Sequence, residues 1–268
     1  MFFYINEINS LKKFYQSNGY VVIKSFFEKK KVLEIKKKIL QKNIKYEKEF
    51  VYFENIRNKK RRLRRIEKIS DYLKDVKKFV VSKKIEKIIK ELTGRKQILF
   101  KDKLNFKYPG GKGYEAHVDG HFYWKDRFNK VKKGWSVYSN KFTNAVIPLE
   151  KSDKKNGCLY LSKKKNVQIL GDNWKEITNS LYKFTPNIKQ KDLKKFKFIP
   201  APLNIGDILL FDWHCAHRSS NNFSKKSRMI FYATYCTNNK KIKNIRNKYY
   251  TDKKYSKNDK LIKSLQFK

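Results

Sequence analysis

Three shortages frame this chain of 268 residues: few cysteines, few acids and no long apolar run. Cys158, Cys215 and Cys236 sit at spacings that match neither a disulfide framework nor a zinc motif, so reduced thiols are the default. No stretch approaches the ~20 apolar residues of a membrane span. The opening MFFYINEINS also lacks the basic segment and apolar run of a secretory leader. A soluble, cytoplasmic protein with no membrane partner is the expectation.

The acids number 24 against 67 Lys and Arg, a formal net charge of +43. Such an excess ordinarily points to nucleic acid, anionic lipid or an acidic ligand. Yet only ten of the basic residues are Arg, and the lysines spread over nearly the whole chain beside abundant Asn, Ile, Phe and Tyr. That pattern fits a compositional bias acting on every solvated surface, as an AT-rich coding sequence produces, better than one dedicated face. A non-enzymatic polyanion- or nucleic-acid-binding protein is the competing class. No zinc finger, helix-turn-helix or aromatic RNA-binding motif accompanies the charge, so no specific nucleic-acid partner is expected. The charge could still recruit an anionic substrate, in a salt-dependent way.

With 20 Phe, 17 Tyr and 4 Trp the chain has the aromatic surface to offset chain entropy, which predicts a folded globule. Ile8, Leu11, Phe14 and Tyr15 recur at helical spacing and Gly19 stands where a C-terminal cap belongs. A short strand at Tyr20 to Ile23 and a second helix from about Glu28 to Gln41 follow. The dense basic run KKRRLRR at 59–65 is read as a solvated helix or loop face, or an anion-attracting rim near a substrate entrance. A helical region is expected from there to Leu92, ending at Gly94. From Gln97 the texture turns to short β-like segments, with strands expected at 97–108, 114–124, Phe142–Leu149, Cys158–Leu161, Phe196–Ile199, Ile208–Trp213 and Met229–Tyr235. The whole reads as one domain: a mostly helical part at 1–95, a β sandwich or barrel at 96–238, and a basic extension at 239–268.

The chemistry-bearing feature is His117-Val118-Asp119 in YEAHVDGHFYW. A strand places residues i and i+2 on one face, so both polar side chains can point into a lumen while Val118 points outward. Two imidazoles and one carboxylate on one face of an octahedral ion, with the remaining positions open, suit a non-haem Fe(II) oxygenase. The preferred third ligand is His217, 98 residues after Asp119; His214 and His121 are the alternatives. Arg228, eleven residues past His217 at the start of RMIFYATY, could hold a carboxylate with two parallel charge-assisted bonds.

Together these segments resemble the phytanoyl-CoA dioxygenase family of Fe(II)/2-oxoglutarate oxygenases: FYQSNGYVVIKSFF near the start, H-V-D at 117–119, NGCLYLS at 156–162, GDILLF at 206–211, and H-R-S-S-N-N followed by Arg228. The resemblance implies a mainly β fold with N-terminal helices, a double-stranded β-helix (jelly roll, cupin-like). It implies Fe(II) on His117, Asp119 and His217, with 2-oxoglutarate and O2 as cosubstrates. It also implies that Arg228 binds the distal carboxylate of 2-oxoglutarate, with Ser219, Asn105 and Thr143 near that cosubstrate. A carboxylate at Asp119 favours hydroxylation over halogenation, in which relatives carry a small residue there. The family's Pro-Gly-Ser-His turn after NGCL is replaced by LSKKKN at 161–166, a loop expected at the substrate entrance.

HVDGHFYW and RNKYYTDKKYS at 246–256 are further similar to the 2-aminoethylphosphonate dioxygenase branch. Lys101, Lys103, Asn105 and Lys107 share one strand face, and aromatics cluster near the H-V-D motif. The expected partner is therefore a small anionic metabolite bearing a phosphonate, phosphate or carboxylate, contacted by Lys103, His121, Tyr123 and Trp124. An acyl-CoA or an amino-acid-like compound is the alternative substrate.

Overall fold

Leu11 and Tyr15 bury one stripe of the first helix, and Gly19, at φ +81°, ends it with its N–H bonded to the Tyr15 carbonyl. Gly19 packs 2.7–2.8 Å, measured from the position a Cβ would take, against Lys164 and Cys215, so the helix drops directly into a strand where no larger residue fits. The computed structural model describes residues 1–40, 45–55, 61–164, 177–178 and 187–257.

In chain order the strands are β1 (Phe2–Phe3), β2 (Tyr20–Ile23), β3 (Val51–Asn55), β4 (Arg61–Glu67), β5 (Ile98–Lys107), β6 (Tyr114–His117), β7 (Tyr123–Lys125) and β8 (Val131–Lys133). They continue with β9 (Phe142–Pro148), β10 (Leu159–Leu161), β11 (Ile177–Thr178), β12 (Ile199–Ala201), β13 (Ile208–Asp212), β14 (His217–Ser219) and β15 (Arg228–Cys236). The helices are α1 (Ile8–Asn18), α2 (Lys29–Leu40), α3 (Ile69–Tyr72), α4 (Lys74–Val80), α5 (Lys83–Thr93), α6 (Gln190–Leu193) and α7 (Ile245–Lys257).

Eight strands form the major sheet in the order β1-β2-β13-β9-β15-β5-β4-β3, and β12-β10-β14-β6 form the minor sheet. Leu159 and Leu161 of the minor sheet pack with Val22, Val146, Leu209, Phe211 and Ile230 of the major sheet, which makes the two sheets a jelly-roll sandwich. On the other face of the major sheet, Ala145, Ile147, Leu104 and Leu210 meet α1, α2, α4 and α5. Helix α5 alone buries Ile85, Ile88, Ile89 and Leu92, at about 1.5–3 kcal/mol for each fully buried side chain.

Register makes the lumen asymmetric. One row across the major sheet runs Glu67, Lys103, Tyr232, Val146, Leu209, Val22, and the next runs Lys101, Thr234, Asn144, Phe211, Tyr20. The lumen is therefore apolar toward β13 and β2 and charged toward β4 and β5.

The basic run departs from its reading as a solvated helix or loop face. Arg61–Glu67 is a strand paired with β3 and β5, while Lys59 and Lys60 lie outside the described residues. Its charges are accommodated because Arg64 pairs with Glu54 at 2.5 Å and Arg65 stacks 4.0 Å over the Tyr52 ring. The region 1–95 is thus less helical than its composition suggests. Val118 does point away from the lumen, but it is fully buried with Ala116, Ile188, Phe196 and Ala216 rather than exposed. The extension at 239–268 contributes α7, whose Ile245, Tyr249 and Tyr250 join an aromatic cluster with Phe100, Trp135, Tyr138, Phe142 and Trp213. Residues 258–268 lie outside the description, as do 165 and 166 of the expected entrance loop.

Candidate active site

Antiparallel pairing of β6 with β14 sets His117 directly opposite His217, so two histidines a hundred positions apart become cross-strand neighbours with ring centroids at 4.3 Å. Each donates through Nδ1–H to the carbonyl two residues earlier: His117 to Glu115 O, 2.6 Å, and His217 to Cys215 O, 3.0 Å. A carbonyl only accepts, so Nδ1 carries the proton in both rings and each Nε2 keeps its lone pair for a metal. Asp119 stands two residues past His117, just beyond the strand, with Oδ2 3.9 Å from His217 Nε2. The ligand atoms of His117, Asp119 and His217 all lie within 4.8 Å of one another.

Electrostatics suits the same use. Burial, then His217, pushes the His117 imidazole down to about 3, and burial lowers His217 as well, so both rings are neutral ligands near pH 7. Burial alone would raise Asp119, but His217, Lys101 and Lys103 outweigh it and hold the carboxyl well below the usual range. Its Oδ2 accepts a 3.1 Å bond from Asn144 Nδ2, and Asn144 Oδ1 in turn accepts from Thr234 Oγ1 at 2.7 Å. A donor set of two neutral imidazoles and an ionised carboxylate, open on its lumen side, fits a divalent iron.

The carboxylate is carried on a turn that tolerates nothing but glycine. Gly120 has φ +71° and packs between Trp135 and Trp213, and a Cβ on Gly134 would fall 1.7 Å from the Gly120 carbonyl. His121, on the same turn, meets the Asp119 carbonyl through Nδ1 at 2.8 Å and lies 5.1 Å from the Trp213 ring. His214 is held by Asp212 at 3.0 Å. Of the three candidates for the distal ligand, His217 is the one brought to His117 and Asp119 among the described residues.

A second polar centre lies where β15 begins. Arg228 is 1% exposed; Nη1 donates to the Gly157 carbonyl and Nε is buried with no acceptor. Beside it in register, Lys107 donates to Ser219 Oγ at 2.9 Å and Ser220 O at 2.7 Å. Burial, then the Arg228 and Arg64 charges, push the Lys107 ammonium down to about 6. Asn105, 4% exposed, leaves Oδ1 buried without a donor. Two adjacent buried basic side chains, one with an unused guanidinium N–H, suit a carboxylate guest, while the Asn105 oxygen would need a donor.

The other expected residues distribute unevenly. Ser219 accepts from Lys107 and from the Tyr114 N–H. Thr143 alternates with Asn144 and so lies on the opposite face of β9, beside Tyr15 of α1, away from the lumen. Lys103 lies on the lumen face, 5.1 Å over the Tyr232 ring. Tyr123 is half-buried on β7, in the small sheet β11-β7-β8. Trp124 is 2% exposed within the aromatic cluster, its indole N–H bonded to Gly134 O at 3.0 Å, which makes it core rather than pocket wall. Asn144 was missed because Thr143 and Asn144 are adjacent and both polar, so the phase of alternation needed the strand's register. Among the described residues no helix is long and apolar enough to cross a membrane.

The model of the phytanoyl-CoA dioxygenase (PhyH) family matches residues 15–230. The chain is 28% identical to a 2-aminoethylphosphonate dioxygenase of the uncultured bacterium HF130_AEPn_1, over 82% of this chain and 78% of that protein. It is 26% identical to a methylphosphonate hydroxylase of Gimesia maris, over 72% of this chain and 65% of that protein. Among solved structures, EctD from S. alaskensis with 2-oxoglutarate and 5-hydroxyectoine superposes with a TM-score of 0.63 at 15% identity, over 84% of this chain and 74% of that one.

Proposed function

Because the chain belongs to the phytanoyl-CoA dioxygenase family, we propose that it is an Fe(II)- and 2-oxoglutarate-dependent dioxygenase hydroxylating a C–H bond of a small anionic metabolite, with a phosphonate the favoured class. Succinate and CO2 are the coproducts. The observation that carries this reading is the pairing, in one lumen, of the His117, Asp119 and His217 donor set with the buried basic side chains of Lys107 and Arg228. The phosphonate preference is supported by the two phosphonate-acting relatives.

Iron and 2-oxoglutarate supply the redox chemistry that activates O2. The chain's own groups bind and orient. His117 and His217 present Nε2 because their Nδ1 protons are fixed by backbone carbonyls. Asn144 and Thr234 hold the Asp119 carboxylate in one orientation. Arg228 and Lys107 offer charge-assisted bonds to the far carboxylate of the cosubstrate, with Ser219 and Asn105 beside them. Phe211, whose ring lies 5.0 Å from His217, and Leu161 wall the donors off from water on the apolar side.

Succinate formation tests the proposal. Purified protein with Fe(II), 2-oxoglutarate, O2 and either 2-aminoethylphosphonate or methylphosphonate should release succinate well above the substrate-free rate. Succinate that rises with an acyl-CoA or an amino acid and with no phosphonate would remove the substrate half of the proposal.

A further inference from the structure

Four cations crowd the charged end of the lumen, and the cosubstrate pocket does not use them. Register places Arg65 of β4 beside Asn105 and Glu67 beside Lys103, on the face that also carries Lys101. Lys253 enters from α7, beyond the segment that matches the family, and is 4% exposed against the carboxylate of Glu67. Lys101 and Lys103 act on Asp119, and Lys101, Lys103, Lys253, Arg65 and Glu67 act on one another, so the group is contiguous with the metal donors. Lys103 precedes Lys107 by four positions on β5, roughly 13 Å along a strand. The two basic centres are therefore distinct positions along β5.

We propose that Arg65, Lys101, Lys103 and Lys253 form a second anion subsite, which receives the phosphonate group of the substrate and so holds the adjoining C–H bond toward the metal. This rests on the reading of the protein as an iron oxygenase acting on an anionic metabolite. Charge supports it: Glu67 is the carboxylate inside a group of four basic side chains, and burial disfavours the ammonium forms of Lys101 and Lys253, so a phosphonate dianion would supply the counter-charge they lack. Like charges in a partly dehydrated lumen repel unless a counter-anion is shared. Arg65 shares the same carboxylate: its Nε lies 3.1 Å from Glu67 Oε1 but outside hydrogen-bond geometry, so Glu67 serves both Arg65 and Lys253. Aromatic faces hold the cations in place, Trp135 at 3.7 Å from Lys101 Nζ and Tyr52 at 4.0 Å from Arg65. A compositional lysine bias explains solvated lysines; it does not explain a lysine buried on α7 and aimed at this group.

The test uses the full chain loaded with Fe(II) and 2-oxoglutarate. Binding of methylphosphonate is read under nitrogen from the visible charge-transfer band of the iron chelate, and turnover of 2-aminoethylphosphonate from succinate. Lys253→Met and Lys101→Met are each expected to raise Kd and KM for the phosphonate about 10- to 100-fold, and to lower kcat as well because the C–H bond is no longer held toward the metal. The 2-oxoglutarate Kd should stay within about twofold of wild type, because Lys107 and Arg228 are untouched. Lys37→Met on the exposed face of α2 is the control for general charge loss. Methyl phosphate and acetate as competitors separate tetrahedral dianion recognition from simple attraction. If the wild type forms the chelate band but methylphosphonate neither perturbs it nor competes, the subsite is refuted. Equal losses in Lys37→Met and Lys253→Met, or unchanged phosphonate affinity in both Lys101→Met and Lys253→Met, refute it too. Failure of the wild type to form the band would instead refute the underlying oxygenase reading, and the subsite with it.

Discussion

Cosubstrate binding should take up a proton, and Lys107 is the reason. Burial and the Arg228 charge place its ammonium at about 6 instead of 10.5. At pH 7.5 it is then only about 3% charged in the empty pocket. A carboxylate guest within about 4 Å contributes about 4 kcal/mol at an effective dielectric near 20, or about three pKa units, which returns Lys107 to about 9. The lysine becomes almost fully charged on binding, a gain of about 0.9 proton. Isothermal titration of 2-oxoglutarate into iron-loaded protein under nitrogen, repeated in phosphate, Hepes and Tris at pH 7.5, reads that number as the slope of observed enthalpy against buffer ionisation enthalpy. Lys107→Met should bring the slope near zero and weaken binding at least tenfold. A wild-type slope within about 0.2 of zero would show that Lys107 is either already charged or not in contact with the cosubstrate, and the assignment of this pocket would fail.

Asn144→Ala removes the donor that orients Asp119 and should lower iron affinity about 10- to 100-fold, measured by chelator competition, while the thermal unfolding midpoint moves little. Gly134→Ala has no room for its Cβ against Gly120 O and should cost several kcal/mol in urea unfolding, with loss of iron binding because the Asp119 turn is displaced. Glu67 gives the acid limb. Burial would raise its carboxyl, but Lys253, Arg65 and Lys101 outweigh burial and hold it at about 2, below its ordinary 4.5. Its ionised form stabilises the fold fully above about pH 4.5, and that contribution, roughly 3 kcal/mol, fades as pH falls toward 2. Urea midpoints between pH 5 and 2.5 should thus fall less steeply in Glu67→Gln than in wild type; parallel slopes would rule out this carboxylate.

Order and spacing carried much of the site. His117 and Asp119 share a short local motif, and the cluster they form with His217 was legible without coordinates, whereas Arg228 is seen only as a buried arginine at the start of β15. The jelly roll was legible for the same reason, because turn residues separate short alternating segments from Gln97 onward. What was not legible depended on partners far along the chain. Arg61 to Arg65 look like a solvated helix or loop face until Glu54, Tyr52 and Glu67 supply the contacts that let arginines sit in a strand. Trp124 looks like pocket lining until Gly134 meets its indole N–H and the aromatic cluster closes around it. Lys253 is indistinguishable from other tail lysines until α7 folds back and pairs it with Glu67, 186 positions away. Thr143 and Asn144 differ only in the phase of β9, which neighbouring strands β13 and β15 decide.

The proposed function requires His117, Asp119 and His217 to hold iron beside a 2-oxoglutarate pocket. Anaerobic addition of Fe(II) and 2-oxoglutarate to wild type, His217→Ala, His214→Ala and His121→Ala, followed by visible absorption, measures that claim directly. The weak charge-transfer band of the chelate should form in wild type, persist in His214→Ala and His121→Ala, and vanish in His217→Ala. An intact band in folded His217→Ala, or its loss in His214→Ala alone, would contradict the assignment.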